Sequence, residues 1–287
     1  MRIKIHEQNM PKFTIITINY NNFAGLKRTI DSVIHQTFSD FEFIIIDGGS
    51  TDGSKELIEQ HKDRIAYWCS EPDSGVYNAM NKGIDHAKGK YINFMNSGDT
   101  FYNETTLEEV QKEKLTADII YGDWIKVFSD HHIYNKAKQY ISIAPLYRTN
   151  VSCHQAMFIR NEAHKKERYD EHYKILADYA LWLNMALKGY SFQYIPVTIC
   201  RYEAGGLSET YLEKRKEEGI SLREAIPLPV KRTIKEYYVM EEELTSIGPK
   251  IRKLLQLRKK NPFFSFLIKL CLSVPYLFAK IIYKKNF

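Results

Sequence analysis

The sequence predicts an α/β protein whose core is a Rossmann-like, doubly wound, mostly parallel sheet. Short β-branched and aromatic segments alternate with amphipathic helical segments through the first hundred residues, which is the pattern of parallel strands joined by helices. Each predicted strand also stops at small, polar or acidic residues, as buried strands do. The predicted strands are 13–18, 41–46, 65–69 and 91–95, and the helices between them are 24–36, 54–61 and 76–87.

The second half of the chain is less regular. Segments 118–128 and 132–134 are expected to pair as a hairpin, 175–187 to form a helix, and 192–195 and 197–202 to form two strands on either side of Pro196. Charged helices are expected at 209–224 and 231–260. We therefore predict one α/β domain over residues 10–225 and a helical, basic tail over residues 226–287.

Charge is unevenly distributed along the 287 residues, although the composition is that of an ordinary globular protein, with 26% charged and 44% apolar residues. Of the formal net charge of +6, segment 250–287 contributes ten Lys or Arg and no acid, so the rest of the chain is mildly acidic. A basic nucleic-acid-binding domain is therefore not indicated, and we expect no nucleic-acid partner.

The end of the tail is both apolar and basic. Segment 263–283 is rich in Phe, Leu and Ile, but Lys269, Pro275 and Lys280 interrupt it, so it is a poor membrane-spanning helix. Its composition suits a helix lying on an anionic membrane surface. The alternative is a helix that packs on the body or on a second subunit, as in a homodimer.

The N-terminus and the cysteines indicate the compartment. The first ten residues are polar and lack the apolar core of a signal peptide. The four cysteines are far apart and include no C-x-x-C pair, so reduced thiols are favoured over zinc ligands or disulfides. We expect a cytoplasmic protein that is peripheral at the inner face of the plasma membrane.

Acidic residues follow three of the predicted strands: Asp47, Asp73 and Asp99. In open α/β sheets ligands bind at the carboxyl ends of the strands, so these acids are expected to share one crevice. The segment Asn96-Ser97-Gly98-Asp99 would present a carboxylate that suits a divalent cation holding a phosphate group. The alternative is that Asp99 merely caps the next helix.

Two common nucleotide-binding motifs are absent. Segment 48–55 has the glycine spacing of a P-loop, but no Gly-Lys-Ser/Thr follows. The first strand is followed by 19–23, Asn-Tyr-Asn-Asn-Phe, rather than by G-x-G-x-x-G, which disfavours a dinucleotide-binding enzyme. A sugar nucleotidyltransferase is disfavoured too, because it would require a glycine-rich, basic loop at that position.

Four motifs together resemble family-2 glycosyltransferases. They are 17–21 (Thr-Ile-Asn-Tyr-Asn), 46–53 (Ile-Asp-Gly-Gly-Ser-Thr-Asp-Gly), 73–83 (Asp-Ser-Gly-Val-Tyr-Asn-Ala-Met-Asn-Lys-Gly) and 95–99 (Met-Asn-Ser-Gly-Asp). The resemblance covers about residues 13–202. It implies a GT-A fold, a nucleotide-sugar donor (a UDP-sugar by default), inverting transfer, and a role in bacterial capsule, exopolysaccharide or O-antigen synthesis.

The resemblance also implies a donor site. Residues expected to line the base and ribose are Thr17, Asn19, Tyr20, Asp47 and Asp73, with Asp47 accepting a hydrogen bond from the base. Asn81 and Lys82 would face the donor, although a solvated surface lysine is an equal alternative for Lys82. Ser97 and Gly98 would line the same site. Asp99 would bind Mg²⁺ or Mn²⁺, since it matches the last acid of the family's D-x-D element; the other acid is missing.

The catalytic base is expected to be Asp178. Segment 177–182 (Ala-Asp-Tyr-Ala-Leu-Trp) resembles the family's E-D-x-x-L-W element, whose Asp deprotonates the acceptor, although Ala177 replaces the first acid. A helix cap is the alternative for Asp178. His154 is expected near the acceptor or the leaving phosphate, or else packed in the core. Arg201 and the loop 205–208 would close over the diphosphate, or else form an exposed connection.

The sequence thus predicts an enzyme that moves a sugar onto a hydroxyl of a glycan or lipid-linked acceptor. The missing acids leave a second hypothesis open, a catalytically silent protein that binds nucleotide sugars or acts as a scaffold.

Overall fold

The chain folds into two compact units, Met1–Ile226 and Pro227–Phe287. The computed structural model describes residues 10–141, 143–148, 152–239 and 242. In the second unit, residues 228–239 are helical, and the predicted membrane-associating segment 263–283 lies outside the described residues. Within the described ranges, no helix combines the length and the apolar character needed to cross a membrane.

The first unit is built on a nine-stranded sheet with the order β3-β2-β1-β4-β8-β6-β9-β5, and β7 pairs with β6. The strands are β1 (Phe13–Asn19), β2 (Phe41–Asp47), β3 (Tyr67–Ser70), β4 (Tyr91–Phe94), β5 (Thr100–Phe101), β6 (Ile119–Val127), β7 (His132–Asn135), β8 (Met157–Arg160) and β9 (Phe192–Glu203). The first four are parallel, and β8 joins β4 antiparallel. The predicted α/β class and parallel half are confirmed.

Nine α-helices connect these strands in the described part of the first unit. They are α1 (Phe23–Ile34), α2 (Ser54–Gln60), α3 (Val76–His86), α4 (Thr106–Lys112), α5 (Ile143–Arg148), α6 (Asn161–Lys166), α7 (Ala177–Leu187), α8 (Leu207–Thr210) and α9 (Leu212–Ala225).

Helices pack on both faces of the parallel half, as a doubly wound sheet requires. Successive residues of β1 point to opposite faces. Ile15 belongs to the core cluster that includes Leu26 and Ile30 of α1. Its neighbour Ile16 faces α3, where a Cβ added at Gly83 would lie 2.6 Å from its Cγ2 atom. Gly83 therefore permits close contact between helix and sheet.

The predicted hairpin is confirmed, because β6 and β7 pair antiparallel. The two strands predicted around Pro196 form instead one continuous strand, β9, and that part of the prediction is wrong. Its pairing with β6 shifts register between Tyr121 and Trp124. A Cβ at Gly122 would lie 2.3 Å from the Val197 carbonyl oxygen, so glycine is needed where the two backbones approach. The irregularity accommodates Pro196 without ending the strand.

A buried histidine makes the fold sensitive to acid. His164 of α6 is fully buried, with its ring edge-on to Phe94 and Tyr169. Burial lowers its pKa from 6.5 to about 4. Since the folded-state pKa is depressed, the stability from the neutral ring is present above pH 6.5 and is lost as the pH falls through 4.

We therefore expect the wild-type protein to lose about 2–3 kcal/mol of unfolding free energy between pH 7 and pH 4.5 through this residue. His164→Phe should remove that part of the loss. Urea unfolding at the two pH values measures the difference, with His172→Phe, at an exposed position, as the matched control. Equal losses in wild type and His164→Phe would contradict the assignment.

Candidate active site

A cleft of about 1010 Å³ opens at the carboxyl ends of the four parallel strands. The segments that follow β1 to β4 line one side of it, and residues from the second half of the unit line the other. Eight of the predicted site residues lie in this cleft: Asn19, Tyr20, Asp73, Ser97, Gly98, Asp99, His154 and Asp178. The loop residues Gly205, Gly206 and Ser208 line it as well. Five predicted residues do not line it: Thr17, Asp47, Asn81, Lys82 and Arg201.

One end of the cleft combines an exposed aromatic ring with an acid. The Tyr20 side chain is 67% exposed. A Cβ added at Gly48 would lie 2.7 Å from Asp73 Oδ2 and 3.2 Å from Tyr20 Cδ2, so glycine lets these side chains meet over the end of β2. Asp73 Oδ1 accepts a hydrogen bond of 2.8 Å from the Gly75 amide. A flat ring beside a fixed carboxylate suits a base and a ribose.

Asp47 is buried beneath this end of the cleft rather than exposed in it. It accepts hydrogen bonds from Asn19 (2.8 Å), from the Ser50 amide (2.9 Å) and hydroxyl (2.6 Å), and from Ser70 (2.6 Å). Burial is the largest influence on its pKa and would raise it, but these hydrogen bonds together lower the pKa. Asp47 is the last residue of β2, and its oxygens accept hydrogen bonds from Asn19 at the end of β1 and from Ser70 at the end of β3. Asp47 therefore links the ends of these three strands.

Two further predicted residues, Thr17 and Asn81, form hydrogen bonds within the protein outside the cleft. Thr17 is buried, and its hydroxyl donates to the Met95 carbonyl (2.7 Å), which joins β1 to the end of β4. The Asn81 amide nitrogen donates to the Tyr169 carbonyl (2.9 Å) and to Glu171 Oε1 (3.0 Å). Both side chains are thus occupied by protein partners outside the cleft.

The two predicted cations also have protein partners. Lys82 Nζ lies 2.7 Å from Glu71 Oε1 in an ion pair. The guanidinium of Arg201, on β9, lies 4.9 Å from the centre of the Tyr102 ring. Neither residue lines the cleft, so a contact with the donor remains a prediction for both.

Asp99 lies at the floor of the cleft, after a glycine in the left-handed region (Gly98, φ 107°). Its side chain is only 8% exposed, and Gln155 Nε2 donates to its Oδ2 at 2.7 Å. Burial raises the pKa of Asp99 to about 6, with the Gln155 hydrogen bond acting in the opposite direction. Asp99 does not cap α4, which begins after Thr105. Asp99 is therefore a buried acid whose ionised form is disfavoured by its surroundings.

Side-chain contacts link this floor to α7. The Asn96 amide nitrogen lies 2.8 Å from His154 Nε2, and His154 Nδ1 lies 3.6 Å from Asp178 Oδ2, which is longer than a hydrogen bond. The Asn96 amide thus faces one ring nitrogen, and the other ring nitrogen faces the carboxylate of Asp178. The Asn96 Oδ1 atom is buried and has no hydrogen-bond partner among the described residues.

Asp178 is the second residue of α7, and its side chain is 14% exposed. Its Oδ1 accepts a hydrogen bond from the Tyr179 amide (2.7 Å) and lies 3.5 Å from the Tyr77 hydroxyl. The residue at the N-cap position is Leu176, which makes no side-chain cap. Asp178 therefore combines a favourable position at a helix N-terminus with access to the cleft.

The sequence of this chain matches the model of the family described as Glycosyl transferase family 2 over residues 14–179. The chain belongs to this family. The resemblance seen in the motifs is thereby confirmed, and the protein is a glycosyltransferase. It is 33% identical over 216 residues, which cover 71% of this chain and 82% of the relative, to a "PGL/p-HBAD biosynthesis glycosyltransferase" of Mycobacterium bovis. The same figures hold for a Mycobacterium tuberculosis protein of that name.

Two solved structures in complex with nucleotides share the fold. Staphylococcus aureus TarS 1–349 in complex with UDP gives a TM-score of 0.60 at 16% identity, covering 78% of this chain and 69% of that one. A mannosyltransferase, PcManGT from Pyrobaculum calidifontis, in complex with GDP-Man and Mn²⁺ gives 0.59 at 16% identity, covering 79% and 69%. This glycosyltransferase spans only 38% of the longer TarS chain. The GT-A fold is confirmed by these likenesses.

Two residues of the site, Gln155 and Glu209, were not among the site residues predicted from the sequence of this glycosyltransferase. Gln155, the partner of Asp99, directly follows His154, and this adjacency was the only clue. Glu209 lines the cleft and fixes the loop by accepting a hydrogen bond from the Gly205 amide (2.9 Å) and by pairing with Lys126. Such contacts depend on tertiary structure and leave no local pattern.

Proposed function

We propose that this glycosyltransferase transfers a sugar, with inversion, from a nucleotide-diphosphate donor to a hydroxyl of a glycan or lipid-linked acceptor. A UDP-sugar is the default donor. The observation that carries this proposal is the series of side-chain contacts from Asn96 through His154 to Asp178, which places a carboxylate on a helix beside the strand end that bears Asp99. One cleft thus contains an acid suited to a donor diphosphate and a second acid suited to an acceptor hydroxyl.

The nucleotide would bind at the end of the cleft near β1 and β2. Tyr20 would stack on the base, and Asp73 would accept hydrogen bonds from the ribose. Asp47 would serve chiefly by fixing the loop after β2, because its oxygens already accept four protein hydrogen bonds. Ser97 and Gly98 would border the diphosphate.

A divalent cation fits the floor of the cleft. Asp99 is a buried carboxylate with a raised pKa, and the nearby Asn96 Oδ1 atom is a buried acceptor without a partner among the described residues. Oxygen atoms of this kind are the ligands that Mg²⁺ and Mn²⁺ prefer. Within the described ranges, no group of three His, Cys, Asp or Glu could hold a metal ion. The donor diphosphate would therefore complete the site, and the cation would offset the charge of the leaving group.

Asp178 would act as the base. Its Oδ2 would accept the proton of the acceptor hydroxyl as the oxygen bonds to the anomeric carbon and the bond to the diphosphate breaks on the opposite face. His154, whose Nδ1 lies 3.6 Å from Asp178 Oδ2, would help to orient this carboxylate. The lone-pair chemistry of an ionised carboxylate suits this role.

The acceptor would enter beside α7. A second cavity of about 400 Å³ shares Tyr77 and Ile175 with the cleft and is also lined by Tyr173, Tyr211 and Lys214. Aromatic rings and a lysine suit a sugar carried on an anionic lipid. The mycobacterial relatives are named as glycosyltransferases of PGL/p-HBAD biosynthesis, which supports a biosynthetic role for this transfer.

The decisive experiment is a thermal-shift panel of nucleotide sugars with and without Mn²⁺. A bound donor at one hundred times its dissociation constant should stabilise the fold by about 3 kcal/mol. We expect a cation-dependent rise in melting temperature with one class of donor, followed by turnover of that donor. The absence of any shift across UDP-, GDP- and dTDP-sugars would favour the scaffold hypothesis.

We also propose that residues 10–225 form the catalytic domain and that 226–287 associate with the inner membrane surface. Deletion of 262–287 should then move the protein from the membrane fraction to the supernatant. Unchanged fractionation would favour packing of the tail on protein, as in a homodimer.

A further inference from the structure

Glu218 lies on α9, and its carboxylate is aimed at the start of α7. The side chain is only 6% exposed. Its oxygens accept hydrogen bonds from three successive backbone amides, those of Lys174 (2.8 Å), Ile175 (3.0 Å) and Leu176 (2.9 Å). The next two residues are Ala177 and Asp178. A carboxylate 40 residues further along the chain therefore holds the backbone immediately before the proposed base.

The energetics of these hydrogen bonds favour a fixed backbone. Segment 174–176 leads into α7 and ends at its N-cap residue, Leu176, so its amides have no acceptor within the helix and need partners from elsewhere. A buried carboxylate likewise needs several donors to offset its loss of water. Hydrogen bonds between an ionised acceptor and amides are stronger than neutral ones, and negative charge is favoured at a helix N-terminus. Each group thus satisfies the other, and segment 174–176 is held in one conformation.

The same segment is held on its other side by α3. The Tyr77 hydroxyl donates to the Ile175 carbonyl at 2.8 Å. Amides and a carbonyl of one short segment are therefore bound by two different helices. Tyr77 lines the cleft, whereas Glu218 does not line it. The direct contact of Glu218 with the cleft is therefore through the backbone of segment 174–176, whose residue Ile175 lines the cleft.

We propose that Glu218 is a positioning residue for Asp178, fixing the direction in which α7 begins and hence the place of the base carboxylate. This inference rests on the proposed function, since it concerns the base of the transfer reaction. Misplacing a catalytic group by about 1 Å can lower the rate by on the order of 10²-fold. Loss of the Glu218 hydrogen bonds should therefore lower kcat while leaving the donor site intact.

The test compares Glu218→Gln and Glu218→Ala with wild type, using a UDP-sugar that the wild-type enzyme turns over. Glutamine retains one acceptor oxygen, so we expect a fall in kcat of roughly tenfold for Glu218→Gln and of about 10²-fold for Glu218→Ala. The donor KM should stay within about twofold. The concentration of donor-binding sites is measured by titration with UDP, and each rate is divided by that concentration. Unfolded protein therefore does not lower the measured kcat. Glu213→Gln is the matched control, because Glu213 is an exposed acid on the same helix and lines neither cavity.

Hydrogen exchange gives a second readout. The amides of residues 174–176 should exchange faster in Glu218→Gln, whereas those of α3 should not change. An unchanged kcat per donor-binding site in Glu218→Gln would overturn the proposal even if its melting temperature fell, since that result indicates a purely structural role. Failure of the proposed function is recognised separately, by absence of turnover in wild type or by full activity of Asp178→Asn.

Discussion

Asp178→Asn should lower kcat for sugar transfer by about 10³-fold and leave donor binding nearly unchanged. A general base contributes typically 10²–10⁴-fold, and asparagine cannot accept the acceptor's proton. The amide is nearly isosteric, so α7 should keep its N-terminal geometry. Its oxygen can still accept the hydrogen bond from the Tyr179 amide. The loss should therefore appear in kcat rather than in the melting temperature.

The measurement is single-turnover transfer with a saturating donor, together with UDP binding by calorimetry. Asp130→Asn is the control, because Asp130 is 80% exposed and remote from the lining of the cleft. Activity of Asp178→Asn within about threefold of wild type would assign the base to another residue. Lost UDP binding would instead place Asp178 in the donor site.

Asp99→Asn should have opposite effects on stability and on activity. In the cation-free protein, burial raises the pKa of Asp99 from 3.8 to about 6, which corresponds to about 3 kcal/mol of destabilisation when the group is ionised. Because the folded-state pKa is raised, this cost is absent below pH 3.8 and grows as the pH rises through about 6. Asparagine avoids the cost and can still accept the Gln155 hydrogen bond.

We therefore expect Asp99→Asn to be more stable than wild type at pH 7.5 in EDTA and equal to it at pH 4. Its Mn²⁺-dependent turnover should fall by on the order of 10²-fold or more, since the carboxylate is the proposed cation ligand. Urea unfolding at both pH values and a Mn²⁺ titration of activity provide the two measurements. Asp73→Asn, at the nucleotide end, should not alter the Mn²⁺ dependence. A variant that is active and no more stable would remove Asp99 from the metal site.

The parallel half of the fold was predictable because its signals are local. Each buried strand is a short apolar run, and each stops at residues that terminate strands. Since parallel strands end at one edge, Asp47, Asp73 and Asp99 could be assigned to one crevice from their positions alone. Asp73 and Asp99 line the cleft, whereas Asp47 is buried beneath it. The motifs carried the same information, because they are the loops at these ends.

The orientation of individual side chains was not predictable in this way. Thr17 and Asn19 are both on β1, yet only Asn19, the last residue of the strand, lines the cleft. Thr17 lies two residues earlier, where its hydroxyl donates to the Met95 carbonyl. The motif containing Asp47 could not show that Ser50 and Ser70 would occupy its oxygens. Glu218 had no signal at all, since an acid on a charged helix is ordinary until the segment that it binds is known.

The antiparallel junction of β4 and β8 joins segments that are synthesised at different times. Residues 13–101 emerge from the ribosome first and contain the four parallel strands with their loops. Gln155, His154 and Asp178 follow more than fifty residues later. The surroundings of Asp99 include Gln155, which donates a hydrogen bond to its carboxylate, and Glu203. A nascent chain therefore has its nucleotide-facing loops well before it has the residues that surround Asp99 or the proposed base.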